Sequence, residues 1–299
     1  MTDTTAAAPL QLDGLTKRFD AGGRLALDGV TLAVPTGSVT GLLGRNAAGK
    51  STLIQCAVGL LKPTTGRATL FGQPAWSLDA VGKSRLGYVP QAIQLHTWMR
   101  VRQLLDYTAA FYPNWNSTLV RDLLRDWDIP GDQRIKTLSP GTLQKLSIIL
   151  AMAHQPDLLV LDEPAAALDP AARRQFLAAL LDVAADDGRT ILFSTHITSD
   201  LERVADRVAL LRDGRLSFDG GLDELKDSVK RLHVTAASPL APDFDVPGRL
   251  RRQIAGHEAL VSVRLPSPDL LDTLQRDHAA RIRVEDLSLE DIFLEMQDA

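Results

Sequence analysis

The sequence predicts an α/β protein built on a mainly parallel sheet, followed by a small α+β appendage. Three observations carry that reading. Residues 39–43 form a short, mainly apolar run, and residues 158–161 and 191–193 are short runs that are apolar throughout, as fits strands covered on both faces of a parallel sheet. The segment Gly44-Arg45-Asn46-Ala47-Ala48-Gly49-Lys50-Ser51-Thr52 fits G-x-x-x-x-G-K-[ST], a loop that wraps nucleotide phosphates; it follows the first of those runs and precedes a helix-like stretch over 52–61. After about Gly221 the composition shifts, and Pro239, Pro242, Pro247 and Gly248 break a segment of short strand patterns and polar turns.

In chain order, Leu10-Gln11-Leu12, residues 30–34 and residues 38–43 read as strands, the last two parted by the turn Pro35-Thr36-Gly37. Residues 68–71 make another strand, which Gly72 ends. Residues 92–156 lean helical. Val101, Leu104, Leu105 and residues 107–111 suggest one helix and residues 119–127 another, while Leu143, Leu146, Leu150 and Ala153 space the apolar face of a third. Asp213-Gly214, between the segments 208–211 and 215–218, is a hairpin signal. Beyond it, 258–265 has a strand pattern, 268–275 a helical one, 281–284 a strand pattern, and 287–296 repeats apolar residues at helical spacing. The expected organisation is a main domain over 8–221, with a helical subdomain at about 92–156, and an accessory α+β domain over 222–299.

Bulk properties exclude several classes. The 299 residues suffice for one large domain and a small one. Hydrophobic content of 45% and charged content of 23% are ordinary for a globular protein, and a net charge of −4 offers no nucleic-acid-binding surface. Residues 1–10 carry Asp3 and no basic residue, so they do not read as a secretory signal. Apolar runs such as 148–153 are too short to span a bilayer, so a membrane role is expected to come through a partner. Cys56 is the single cysteine and forms no intrachain disulfide; among Leu53, Ile54 and Val58 it reads as a small core residue rather than a reactive thiol.

The phosphate-loop pattern is specific because each part answers a physical need. Glycines let backbone N–H groups crowd an anion, and the following helix points its positive end at it. Lys50 can reach the β- and γ-phosphates, and Ser51 can hold Mg²⁺. A glycine-rich turn with a surface lysine would explain the loop alone, but not its place between strand and helix. The second element is Asp157-Leu158-Leu159-Val160-Leu161-Asp162-Glu163-Pro164, a buried strand with two carboxylates at its carboxyl end, where parallel sheets bind ligands. Asp162 suits Mg²⁺, directly or through water, and Glu163 suits a general base toward water.

Three further pieces complete a set: Leu138-Ser139-Pro140-Gly141-Thr142 ahead of a helix, Tyr88-Val89-Pro90-Gln91, and Ser194-Thr195-His196 at a strand end. With these the chain resembles the ATPase subunit of an ATP-binding-cassette (ABC) transporter, over about residues 10–220, with five motifs in the family's order across 44–196. The resemblance implies a P-loop cassette with a RecA-like core, an antiparallel β subdomain and a helical subdomain. It implies that ATP is held by Phe19, stacked on adenine, and by Gly44, Asn46, Ala47, Ala48, Gly49, Lys50, Ser51 and Thr52. Read alone, Phe19 is a core aromatic. Mg²⁺ would be held by Ser51, Gln91 and Asp162. Glu163, His196 and Gln91 would serve hydrolysis, His196 by holding the γ-phosphate in line. Ser139, Gly141 and Asp169 would complete the ATP site of a second subunit, because one chain carries one copy of each motif. Asp169 also reads as a helix N-cap with Pro170 at the first helical position. The implied partners are a second ATPase subunit, expected as a homodimer, and an integral membrane permease, with no nucleic acid. The implied place is cytoplasmic, peripheral on the inner face of the plasma membrane through that permease.

The chain departs from the family pattern at named positions. Where the usual signature reads Leu-Ser-Gly-Gly-Gln, this chain has Pro140 and Thr142; Ser139 as N-cap and Pro140 as first helical residue would preserve the turn. Ala47 stands where the loop usually has Gly, and Arg45 where it has Pro. If position 47 needs a positive φ, its Cβ costs roughly 1–2 kcal/mol, enough to weaken nucleotide binding. Leu287-Ser288-Leu289-Glu290-Asp291-Ile292-Phe293-Leu294 resembles the tail of ATPases from bacterial exporters of drugs, peptides and lipids, and Phe111-Tyr112-Pro113-Asn114-Trp115 is similar to a subgroup of such exporters; both also read as a plain tail helix and a helix-ending turn. The resemblance therefore implies an exporter's ATPase subunit. The alternatives are a non-transport ABC ATPase acting on ribosomes or DNA, or a member of a heterodimer with one degenerate site.

Overall fold

The computed structural model describes residues 8–20, 22–185, 188–264 and 268–297. The N-terminal reading over residues 1–7 and the strand end expected at Leu265 lie outside them. The chain divides into two compact units, Met1–Asp219 and Gly220–Ala299.

The first unit opens with a meander. Strands β1 (Leu10–Arg18) and β2 (Leu25–Val34) pair antiparallel, with Leu10 opposite Val34 and Leu12 opposite Leu32. The register then slips, so that Leu15 faces Val30. This bulge hides most of β1 from a period-two reading, which sees only its first three residues. Next come β3 (Val39–Leu43), α1 (Lys50–Ala57), β4 (Thr65–Leu70) and the short β5 (Gln73–Pro74). β4 begins earlier than the apolar pattern shows, because Thr16 and Asp13 of β1 supply partners for Thr65 and Arg67. Helix α2 (Ala80–Ser84), capped by the Asp79 side chain, leads into β6 (Leu86–Val89).

The helical stretch holds α3 (Val101–Ala109), α4 (Ser117–Asp126) and α5 (Pro140–Ala153). Helix α3 stops short of Phe111, which is 65% exposed. Past its end, the amides of Phe111 and Tyr112 turn back to the carbonyls of Thr108 and Ala109, three residues away, and Pro113 forbids continuation. Asn116 caps α4 by accepting from the Leu119 amide at 2.9 Å. The parallel core resumes with β7 (Leu158–Leu161), α6 (Pro170–Ala185), β8 (Thr190–Thr195), α7 (Thr198–Val204), β9 (Arg207–Arg212) and β10 (Arg215–Gly221). The turn at Asp213-Gly214 has positive φ at both residues, which the twist of a tight hairpin demands.

Two sheets result: an antiparallel one in the order β2-β1-β4-β5, and a six-stranded one in the order β10-β9-β3-β8-β7-β6. In the second, β3, β8, β7 and β6 are consecutive neighbours running parallel. Their carboxyl ends therefore lie side by side, and the loops leaving them must converge. β3, β7 and β8 are buried along their whole length.

The second unit has α8 (Leu222–Ser228), β11 (Val229–Thr235), β12 (Arg249–Ala255), β13 (Glu258–Arg264), α9 (Pro268–His278), β14 (Arg281–Asp286) and α10 (Leu289–Gln297). Its antiparallel sheet runs β12-β13-β11-β14 over a core that includes Leu232, Val234, Phe244, Val261 and Leu274. Helix α10 starts two residues later than its apolar spacing suggests, because Ser288 serves as its cap and accepts from the Asp291 amide at 3.1 Å.

Candidate active site

The loop between β3 and α1 is shaped by two glycines. A Cβ on Gly44 would lie 2.6 Å from the Leu211 carbonyl oxygen. Gly49, with φ 107, precedes α1, and a Cβ there would lie 2.5 Å from the Ala26 carbonyl oxygen. Ala47 sits between them at φ 65, in the left-handed region where a Cβ is strained. Asn46 and Ala47 are exposed, Ala48 is buried and Thr52 half-buried. The Lys50 side chain is 6% exposed. Its ammonium donates to the Gly44 and Arg45 carbonyls at 2.7 and 3.3 Å and lies 3.1 Å from Glu163 Oε1. Ser51 Oγ donates to Gln91 Oε1 at 3.3 Å, joining the loop after β3 to the segment after β6.

Asp162 and Glu163 emerge where β7 ends. Asp162 is 1% exposed and accepts from Ser194 Oγ at 2.7 Å. Burial pushes its carboxyl above the usual range, and the hydroxyls of Ser194 and Ser51 oppose that. Glu163 has φ 50, a rare conformation for a non-glycine residue, and its amide donates to Ser194 Oγ at 2.9 Å. Its carboxylate lies between two partners: the Lys50 ammonium on Oε1, and His196 Nδ1, which donates to Oε2 at 2.8 Å. His196 remains half exposed on its other side. Ser194 is the residue that motif reading quoted without a role. A hydroxyl ending an otherwise apolar strand beside a histidine was the available signal.

Lys50, Ser51, Gln91, Asp162, Glu163 and His196 are thus linked by contacts across four neighbouring strand ends. Ser139, Gly141 and Asp169 form a second group. Ser139 caps α5, accepting from the Thr142 amide at 3.1 Å, with Pro140 at the first helical position. Thr142 Oγ1 lies 2.8 Å from Ser139 Oγ. A Cβ on Gly141 would lie 3.1 Å from the Ala167 carbonyl oxygen, which puts this turn beside the Asp169 loop. Asp169 accepts from the amides of Ala172 and Ala171, and those bonds hold its carboxyl below the usual range. Among the described residues no hydrogen bond joins this group to the first. Phe19 stands apart, 62% exposed, with the Lys17 ammonium 5.3 Å from its ring centroid.

The residues fit a magnesium nucleotide. Ser51 Oγ, Gln91 Oε1 and the Asp162 carboxylate are oxygen donors of the kind a hard cation takes, and the glycine-shaped loop leaves amides for phosphate. Fold and site together define a phosphate-loop nucleotide-hydrolase cassette. The profile of the ABC transporter family matches residues 27–166. An uncharacterized ABC transporter ATP-binding protein of Synechocystis sp. is 32% identical over 67% of this chain, and the chain spans 58% of that relative's length. Nod factor export ATP-binding protein I of Burkholderia lata is 32% identical over 97% of this chain and 99% of its own. A solved ATP-binding subunit of an ABC transporter superposes with a TM-score of 0.66 at 28% identity, over 74% of this chain and 92% of its own. The chain belongs to the ABC transporter family and has that family's cassette fold. No described helix is long and apolar enough to cross a membrane.

Proposed function

We propose that the chain is the ATP-binding and hydrolysing subunit of a bacterial exporter, working as a dimer on a separate membrane permease from the inner face of the plasma membrane. One observation carries the catalytic part: the contacts that gather Lys50, Ser51, Gln91, Asp162, Glu163 and His196 at four adjacent strand ends. Likeness along nearly the whole of both chains to a Nod factor export ATP-binding protein supports the export reading, against an ATPase acting on ribosomes or DNA. The dimer reading rests on Ser139, Gly141 and Asp169 forming a group of their own, suited to a second chain's nucleotide.

In this reading Lys50 exchanges its contact with Glu163 for phosphate oxygens, which frees the Glu163 carboxylate to take a proton from water. His196 Nδ1 keeps donating to Glu163 and fixes that carboxylate's direction. Ser51, Gln91 and Asp162 would hold Mg²⁺, which supplies charge neutralisation at the phosphates when bound. Phe19 offers an exposed aromatic face to adenine. Glu163→Gln should retain ATP binding and lose turnover by roughly 10²–10⁴-fold, the usual worth of a positioned base. Calorimetry and steady-state hydrolysis check this, and wild-type turnover in that variant removes Glu163 from the role. A pairing with a different ATPase, one site being degenerate, is favoured by the strained Ala47 and by Thr142. A single ATPase species in the complex isolated from its native membrane decides against it.

A further inference from the structure

Behind the site, one ion pair joins two of its segments. Helix α6 begins right after the Asp169 cap, and Arg173 lies one turn in, its amide donating to the Asp169 carbonyl at 2.9 Å. Helix α7 begins two residues past His196, and Asp200 lies in its first turn, its amide donating to the Ile197 carbonyl at 3.2 Å. The Arg173 guanidinium reaches across, donating from Nε to Asp200 Oδ1 at 2.6 Å, with Nη2 in ion-pair contact 2.6 Å from the same oxygen. The Asp200 side chain is 4% exposed and that of Arg173 24%. Asp200 Oδ2 is buried and has no hydrogen-bond partner among the described residues, so the carboxylate depends on the Arg173 fork. Separating the two would leave a charge uncompensated away from water, and a planar fork fixes direction as an ammonium cannot.

We propose that Arg173 and Asp200 are positioning residues. Their pair sets α7, and so His196, against Glu163, and ties that setting to the Asp169 loop that would face a second subunit. Neither residue touches a reacting atom. Turnover depends on the pair, whereas ATP capture, built on β3 and α1, does not. The proposal rests on the reading of His196 and Glu163 as hydrolytic groups.

The test is steady-state ATP hydrolysis by the full chain, with Arg173→Lys, Asp200→Asn, His196→Ala and the two combinations with His196→Ala. Arg173→Lys keeps the charge and loses the fork, so it is the mildest change to folding. Arg173→Lys and Asp200→Asn are each expected to lower kcat about tenfold or more while KM for ATP stays within about twofold. In the His196→Ala background neither should lower the residual rate further, because both act through that histidine. Unchanged kcat in Arg173→Lys, a KM that rises in step with the lost rate, or a full additional loss on top of His196→Ala would each overturn the proposal. If His196→Ala and Glu163→Gln themselves hydrolyse ATP normally, the hydrolytic reading falls first and takes this one with it.

Discussion

Two residues of the site hold conformations their chemistry resists. Ala47 and Glu163 both have positive φ, 65 and 50. For a residue with a Cβ such conformations cost of order 1–3 kcal/mol and persist where the surroundings impose them. Glu163 is imposed on by Ser194, Lys50 and His196 together. Ala47 has no such clamp, and its strain belongs to the folded loop, so relief should appear first as stability. Ala47→Gly is expected to raise the melting temperature by about 2–4 °C, the effect of roughly 1 kcal/mol in a domain this size. Its ATP affinity by calorimetry should stay within about threefold, well short of the factor of ten that 1.4 kcal/mol gives. An unchanged melting temperature with tenfold tighter binding would locate the strain in the bound loop instead. Motif spacing pointed to Lys50, Ser51, Asp162 and Glu163, because phosphate chemistry allows few substitutes at those places, while His196 came only with the family resemblance. Ser194 and the Lys50–Glu163 contact were not legible, since they join residues far apart in sequence through strand register. Cys56 is 1% exposed, and burial pushes its thiol up to about 11, in keeping with a core residue.

At the scale of elements, the uniform apolar strands were readable and the bulged ones were not. β3, β7 and β8 are buried along their whole length and have no exposed polar face to create ambiguity, while β1 changes register in mid-strand. The short α2 and α7 carry too few turns for helical spacing to stand out. Helix α5 shows local chemistry at both ends: Ser139 and Pro140 start it, and His154 ends it. His154 is 5% exposed and stacked on Tyr112 at 4.1 Å, with its ring nitrogens 3.4 and 3.2 Å from the Leu150 and Leu86 carbonyl oxygens. Burial lowers its pKa below 6.5 despite those carbonyls. At this residue the unfolded chain therefore takes up a proton more readily than the native one, and the contribution of His154 to stability falls as pH drops through and below 6.5. His154→Gln keeps an N–H donor and cannot titrate. Urea midpoints at mildly acidic and neutral pH should differ less in this variant than in the parent chain, and an equal difference in both would absolve His154.

For the whole molecule, the division into two units gives nucleotide binding a localised thermodynamic signature. Each unit has its own hydrophobic core, and every proposed ATP contact of this chain lies in the first. The sequence composition supplies a convenient probe. All 4 tryptophans, Trp76, Trp98, Trp115 and Trp127, fall within that unit, and Trp127 is buried at 4% exposure. Tryptophan fluorescence thus reports melting of the cassette, whereas circular dichroism also sees the strands and helices of residues 220–299. A ligand that binds the native state at about 100 times its Kd adds about 2.7 kcal/mol. At roughly 2–4 °C per kcal/mol the fluorescence midpoint should then rise by roughly 5–10 °C. The measurement is best made on Glu163→Gln with Mg²⁺ and ATP, so that the nucleotide survives the scan. The dichroism curve should broaden or split, because the appendage's share of the signal binds no nucleotide and gains nothing from it. A fluorescence midpoint that ignores saturating ATP would remove the nucleotide from this cassette. A dichroism curve that shifts as one block would make the two cores a single cooperative unit.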